Sequence, residues 1–256
     1  MEGVRMPVQE RWVRRFRDGG GCLTKLVCFP HAGGWASAYR TWPLGLPSNV
    51  GVLGVRYPGR EDRLDEPLPS GLEALADDIA DGLSELPPHR LVLFGHSMGA
   101  SVAHEVALRL QKRGCRPAAL CVSSRPPPHA LEGQRKLTGT DEEIVAEIVR
   151  QDPSRAAVFA NPELREFVLP AVRADFQLVD DYPHGHRPPL DCPVYGYVGH
   201  DDPEVSPEQM RGWADMTHDA FRLRVLPGGH FYLRAEEAAL LADLEGVLSS
   251  IEHPGS

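Results

Sequence analysis

The stretch Leu91-Val92-Leu93-Phe94-Gly95-His96-Ser97-Met98-Gly99-Ala100 decides how the rest of the chain is read. Four consecutive apolar residues fit a strand buried on both faces, and Ala100, Val102, Ala103, Val106, Ala107 and Leu110 follow at helical spacing. A G-x-S-x-G between a strand and a helix forces a sharp turn that lifts the serine hydroxyl clear of the sheet, while its glycines let neighbouring backbones approach. The bare pattern also arises by chance. The strand before it and the alanine-rich helix behind it make Ser97 a candidate nucleophile rather than an ordinary turn serine.

Outward from this stretch, short apolar runs alternate with amphipathic segments, the signature of βα units on a mostly parallel sheet. Strands are predicted at 26–29, 50–57, 91–94, 118–123, 194–198 and 221–226, with a further edge strand at 12–16. The clearest helix has Ser70 and Glu73 as a capping box, carries Leu72, Leu75, Ile79, Leu83 and Leu86, and stops at Pro87 and Pro88. Proline-rich patches at 126–128 and 188–189 bracket a helical segment. Within it, Thr140 and Glu143 form a second capping box ahead of Ile144, Val145, Ile148 and Val149. Another helix begins at Asn161 with Pro162 in its first turn and carries Leu164, Phe167 and Val168; Pro170 is expected to kink or end it. The expectation is a single α/β domain over residues 1–256.

A serine at its ordinary pKa needs a base, and the base needs an orienting acid. In hydrolases of this architecture the chain order is serine, acid, histidine. The strand at 194–198 runs into Gly199-His200-Asp201-Asp202-Pro203-Glu204-Val205, and the strand at 221–226 into Pro227-Gly228-Gly229-His230-Phe231. His230 is the candidate base. Asp201 and Asp202 leave an extended segment in opposite directions, so one of them faces it. Asp202 is chosen because its phrase resembles the acid loop of many α/β hydrolases, with Asp201 the alternative. His96 reads as a packing residue. Acyl transfer builds charge on a carbonyl oxygen, so two backbone N–H groups must already point at it. The loop Pro30-His31-Ala32-Gly33-Gly34, ahead of a helix containing Tyr39 and Trp42, supplies one through Ala32; Met98, after the nucleophile, supplies the other.

Composition removes several function classes. A formal net charge of -9 repels phosphate backbones and anionic lipid, so nucleic acid and membrane surfaces are poor partners. The 5 cysteines include no C-x-x-C pair and no cluster at zinc-ligand spacing, which predicts reduced thiols and no metal. Arginines near the N-terminus are not followed by the apolar run of a signal peptide, and no run of 18 apolar residues exists. The expectation is a soluble, cytoplasmic, cofactor-free monomer.

Several phrases carry a resemblance: Phe29-Pro30-His31-Ala32-Gly33-Gly34, Tyr57-Pro58-Gly59-Arg60-Glu61-Asp62-Arg63, the Ser97 elbow, Leu169-Pro170 with Arg173-Ala174-Asp175-Phe176, and Gly228-Gly229-His230-Phe231-Tyr232. Together they are similar to the type II thioesterases that accompany polyketide synthases and nonribosomal peptide synthetases. The likeness implies an α/β-hydrolase fold with a mostly parallel sheet and a mobile helical lid over 125–190. It also implies an editing activity on acyl or aminoacyl groups carried by the phosphopantetheine arm of an acyl or peptidyl carrier protein. The Ser123 to Pro128 phrase is more proline-rich than the family's usual one. Rival readings are a general carboxylesterase or lipase with the same triad, a synthase-terminating cyclase, and a non-catalytic carrier-protein binder; matched ester and thioester substrates separate the first.

Overall fold

The computed structural model describes residues 11–18, 24–86, 90–133 and 136–252; Cys22, Pro87 and Pro88 lie outside them. Seven strands, β1 (Val13–Arg17), β2 (Thr24–Phe29), β3 (Val50–Val55), β4 (Arg90–His96), β5 (Ala119–Ser123), β6 (Val194–Gly199) and β7 (Phe221–Leu226), form one sheet in the order β1-β3-β2-β4-β5-β6-β7. β1 runs antiparallel to β3 at one edge, and every other pairing is parallel. The α-helices are α1 (Leu72–Ser84), α2 (Met98–Lys112), α3 (Asp141–Gln151), α4 (Ala156–Ala160), α5 (Pro162–Asp180), α6 (Pro207–Arg211), α7 (Tyr232–Ala235) and α8 (Glu237–Glu252). This is the mostly parallel, helix-flanked sheet expected of an α/β hydrolase.

The unbroken apolar runs of β2 and β4 follow from having helices on both faces. Side chains alternate along a strand, so Val27, Phe29, Leu91 and Leu93 enter a core with α1 and α2. Their neighbours Leu26, Cys28, Val92 and Phe94 enter a second core with Trp42 and the leucines of α8. Each fully buried Leu, Val or Phe contributes about 1.5–3 kcal/mol, so the central strands anchor whatever their ends carry. A third, separate cluster joins Ile144 and Ile148 of α3, Phe159 of α4, and Val168, Leu169, Val172 and Phe176 of α5.

Four local expectations need correction. The Ser70–Glu73 box does not form: α1 starts at Leu72, so Gly71 is the N-cap and Ser70 stands one residue too early. β3 ends at Val55, two residues before the predicted limit, as the chain leaves the sheet ahead of Pro58. The helix around Tyr39 and Trp42 is two short 3-10 helices, Ala36–Tyr39 and Trp42–Gly45, because Pro43 has no N–H to continue an α-helix. Finally, of the two outcomes expected at Pro170 the ending is excluded: α5 runs through it to Asp180. Packing of Leu169, Val172 and Phe176 in the third cluster offsets the one backbone bond that proline removes. The Thr140–Glu143 box forms in both directions, at 3.3 and 2.8 Å, and the Asn161 side chain accepts from the Glu163 and Leu164 amides.

Candidate active site

At the end of β4 the chain turns so sharply that Ser97 adopts φ 53° and ψ -122°. That conformation costs a non-glycine residue about 1–3 kcal/mol and survives only where its surroundings enforce it. Here the Ser97 N–H donates to the Ser123 carbonyl on neighbouring β5 at 2.8 Å, and the Ala100 N–H donates to the Ser97 carbonyl at 2.9 Å. The flanking glycines are required by space. A Cβ on Gly95 would stand 2.1 Å from the Gly99 carbonyl oxygen, and one on Gly99 would stand 2.1 Å from that of Phe29. Close approach therefore brings the start of α2 against the chain leaving β2. Met98 is the first residue of α2, where a backbone N–H has no acceptor within the helix.

β6 and β7 end side by side, and their loops carry the acid and the imidazole. His230 Nδ1 lies 3.0 and 3.2 Å from the two carboxylate oxygens of Asp202, with both side chains buried. Asp202 also accepts from the Glu204 and Val205 amides, at 2.9 and 3.2 Å. Burial works to raise the Asp202 pKa, but the His230 bond and charge and the Glu204 amide outweigh it and hold the carboxyl below its ordinary value. Asp201 turns outward and pairs with the exposed His200 at 2.8 Å. Of the two adjacent aspartates, the one facing His230 is thus Asp202. An ionised carboxylate only accepts, so Nδ1 carries the imidazole proton and Nε2 keeps its lone pair. Nε2 is buried and has no hydrogen-bond partner among the described residues. His230 and the half-buried Ser97 line one cavity of about 330 Å³, whose wall includes Arg125, Lys136, Gln151 and Asp180.

Two further imidazoles surround the base. His96 is fully buried, its ring centroid 5.1 Å from that of His230. Its Nδ1 lies 2.9 Å from Ser123 Oγ, which in turn lies 2.7 Å from the Tyr232 hydroxyl. His31 packs edge-on to Phe231 at 4.8 Å. Burial pushes both pKa values far below that of free histidine, so both rings are neutral at neutral pH.

The loop carrying Ala32 is braced from three sides. The Tyr39 and Tyr57 hydroxyls donate to the Phe29 and Pro30 carbonyls at 2.9 and 3.1 Å. Asp175, on α5, accepts the Gly33 N–H at 2.7 Å and a bidentate pair of bonds from Arg60 at 2.6 and 2.7 Å. Arg60 also donates to the Gly34 carbonyl at 3.2 Å, and Arg155 donates to that of Gly33 at 3.0 Å. Burial disfavours the charge on Arg60, yet Asp175 more than compensates and the guanidinium pKa is raised. Sequence reasoning assigned Arg60 and Asp175 no role of their own. Their only signal was membership of quoted phrases, because 115 residues separate them along the chain. Beside this loop lies a second, more open groove of about 590 Å³, walled by Trp35, Leu164 and Phe167 with Arg40, Arg155 and Arg234.

Among the described residues, no three or more His, Cys, Asp or Glu side chains cluster as metal ligands, and no helix is long and apolar enough to cross a membrane. Cys28, Cys115, Cys121 and Cys192 are free thiols.

A serine raised on an elbow near the middle of such a sheet, upstream of a late-strand acid and histidine, is the arrangement that defines the α/β-hydrolase class. Within that class the chain belongs to the thioesterase family, whose thioesterase-domain model matches residues 24–253. It is 39% identical to a probable cadicidin biosynthesis thioesterase of Streptomyces griseus over 87% of the chain, spanning 62% of that relative's length. It is 37% identical to the thioesterase PikA5 of Streptomyces venezuelae, covering 91% of the chain and 84% of the relative. Among solved structures it is similar to the type II thioesterase BorB from the borrelidin biosynthetic cluster. That match has a TM-score of 0.83 at 37% identity, covering 93% of this chain and 97% of the other.

Proposed function

We propose that this enzyme is an editing thioesterase, hydrolysing acyl or aminoacyl thioesters from the phosphopantetheine arm of an acyl or peptidyl carrier protein. The observation that carries the reading is His230, gripped by Asp202 through Nδ1, left with an Nε2 that has no hydrogen-bond partner among the described residues, and lining the same cavity as Ser97. The likeness to thioesterases named for biosynthetic pathways supports a thioester substrate of that kind.

In this mechanism Ser97 Oγ attacks the thioester carbonyl while its proton passes to His230 Nε2. The Ala32 and Met98 N–H groups hold the resulting oxyanion. The imidazolium then gives its proton to the departing pantetheine sulfur, leaving an ester on Ser97. Water, deprotonated by the same imidazole, attacks that ester; the imidazolium returns the proton to Ser97 Oγ as it leaves, and the acid is released. Asp202 fixes the tautomer and offsets the imidazolium charge. No metal is needed, because a thiol is a stronger acid than an alcohol and its thiolate leaves readily. The separate apolar cluster of α3, α4 and α5 supports a lid over residues 125–190 that repacks as a unit within a single hydrolase domain. The same reading takes the protein as a cytoplasmic monomer.

Intact-mass measurement of an acyl-loaded carrier protein tests this directly. The parent should restore the free phosphopantetheine mass, and Ser97→Ala should lower the rate by at least about 10³-fold. A Ser97→Ala variant that deacylates the carrier at the parent rate refutes the assignment.

A further inference from the structure

We propose that the buried Arg60–Asp175 pair is a positioning device for the oxyanion site: it sets the loop that presents the Ala32 N–H and makes that setting depend on α5. The inference rests on the reading of Ala32 as an oxyanion donor.

Four observations carry it. Both side chains are almost sealed from solvent, at 3% and 1% exposure, which is a costly place for charge unless the geometry is used. The bidentate fork does not satisfy itself alone. Asp175 Oδ2 also takes the Gly33 N–H at 2.7 Å, and Arg60 Nη1 also reaches the Gly34 carbonyl at 3.2 Å. The pair thus grips the two residues immediately following Ala32, one by its N–H and the other by its C=O. Upstream, the Tyr57 hydroxyl holds Pro30, so residues 57 and 60 of one short phrase clasp the loop on both sides of Ala32. From the opposite side Arg155, ahead of α4, donates to the Gly33 carbonyl at 3.0 Å. Gly33 is therefore bonded through both its N–H and its C=O to side chains from the α4–α5 segment.

An oxyanion donor acts only within a few tenths of an ångström of its target, and a displacement of about 1 Å costs on the order of 100-fold in rate. A loop held by a rigid fork meets that tolerance. One held by water does not. Because Asp175 rides on α5, a shift of that helix is transmitted to Gly33 and so to the adjacent amide.

The test compares the parent with Asp175→Asn, Arg60→Lys and Arg155→Ala, using the best substrate of an acetyl-to-hexanoyl pantetheine series. Two inhibitors are titrated in parallel: the matching trifluoromethyl ketone, which forms an oxyanion on addition of Ser97, and a thioether of the same length, which forms none. Asp175→Asn and Arg60→Lys should lower kcat about 10- to 100-fold with KM within about threefold. They should weaken the ketone by the same factor and leave the thioether unchanged. Arg155→Ala, a half-buried side chain tolerant of truncation, should show the same pattern at about three- to tenfold, and it carries the comparison should both buried variants fail to fold. A structural role alone lowers the melting temperature while leaving kcat of the folded fraction and the ketone-to-thioether ratio at parent values. That result overturns the proposal. If the parent itself binds the ketone no tighter than the thioether, the oxyanion reading has failed and the positioning proposal falls with it.

Discussion

The elbow around Ser97 and the loop around Ala32 are held by different balances of contact. The elbow around Ser97 is fixed by backbone packing: two glycines without room for a Cβ, a strained serine, and a bond from its N–H to the next strand. The loop around Ala32 is closed by one backbone bond, from the Gly34 N–H to the His31 carbonyl at 2.8 Å, and is otherwise braced by side chains, namely two tyrosine hydroxyls, one buried fork and one half-buried arginine. Backbone contacts of the first kind have no graded failure, since a misplaced atom collides with a carbonyl. Side-chain contacts of the second kind are adjustable, and they tie the loop to a distant helix through Asp175.

The sharpest way to break this contrast is Gly99→Ala. The new methyl would stand 2.1 Å from the Phe29 oxygen, and neither partner is a flexible side-chain end. Loss of soluble folded protein is expected, equivalent to more than about 4 kcal/mol; a melting curve within 3 °C of the parent (about 1 kcal/mol or less) would contradict it. Next in size is the acid. Asp202→Asn should lower kcat by about 10³- to 10⁴-fold by disturbing the His230 tautomer, whereas Asp201→Asn should stay within twofold (under about 0.5 kcal/mol). Steady-state rates of the two variants check this, and equal losses would show that the outward-facing carboxylate matters as much as the buried one.

The smallest effect concerns α2 behind the elbow, through pH. His104 is fully buried against Trp213 at 5.1 Å, with neither ring nitrogen hydrogen-bonded, and burial lowers its pKa to about 4. A group depressed in the folded state adds stability above its unfolded pKa, near 6.5, and that stability is lost as pH falls toward the folded value. Between those limits His104 accounts for about 3 kcal/mol of acid sensitivity. His104→Phe should flatten the denaturation free energy between pH 6.5 and 4 by roughly that amount. The slope is read rather than the absolute stability, so repacking of the larger ring does not confuse it. An unchanged slope would place the acid sensitivity elsewhere, with His31 and His96 the next groups to replace.

Much of the architecture was legible along the chain because its causes are local. Short unbroken apolar runs marked the central strands, and the turn chemistry of Gly95 to Gly99 marked the elbow. Ser97, an acid at Asp201 or Asp202, and His230 followed from the hydrolase chain order applied to polar residues at strand ends, with Asp202 preferred for its likeness to an acid loop. The Thr140 cap was readable because the hydroxyl and the amide that donates to it lie three residues apart. The Ser70 cap failed for want of one residue of register, which propensity alone does not set. Pro170 does not end α5, because the apolar faces that carry the helix past it come from other elements.

Folding in three dimensions settled what no local rule reaches. Asp201 and Asp202 are chemically the same residue in adjacent positions, and only the placement of β7 beside β6 puts one of them against His230. The meeting of Arg60, Asp175 and Gly33 joins three distant segments, each unremarkable by itself. Backbone sterics act over a few residues and so are written in short patterns. A buried charge finds its partner across the whole molecule, and that pairing exists only once the chain has packed.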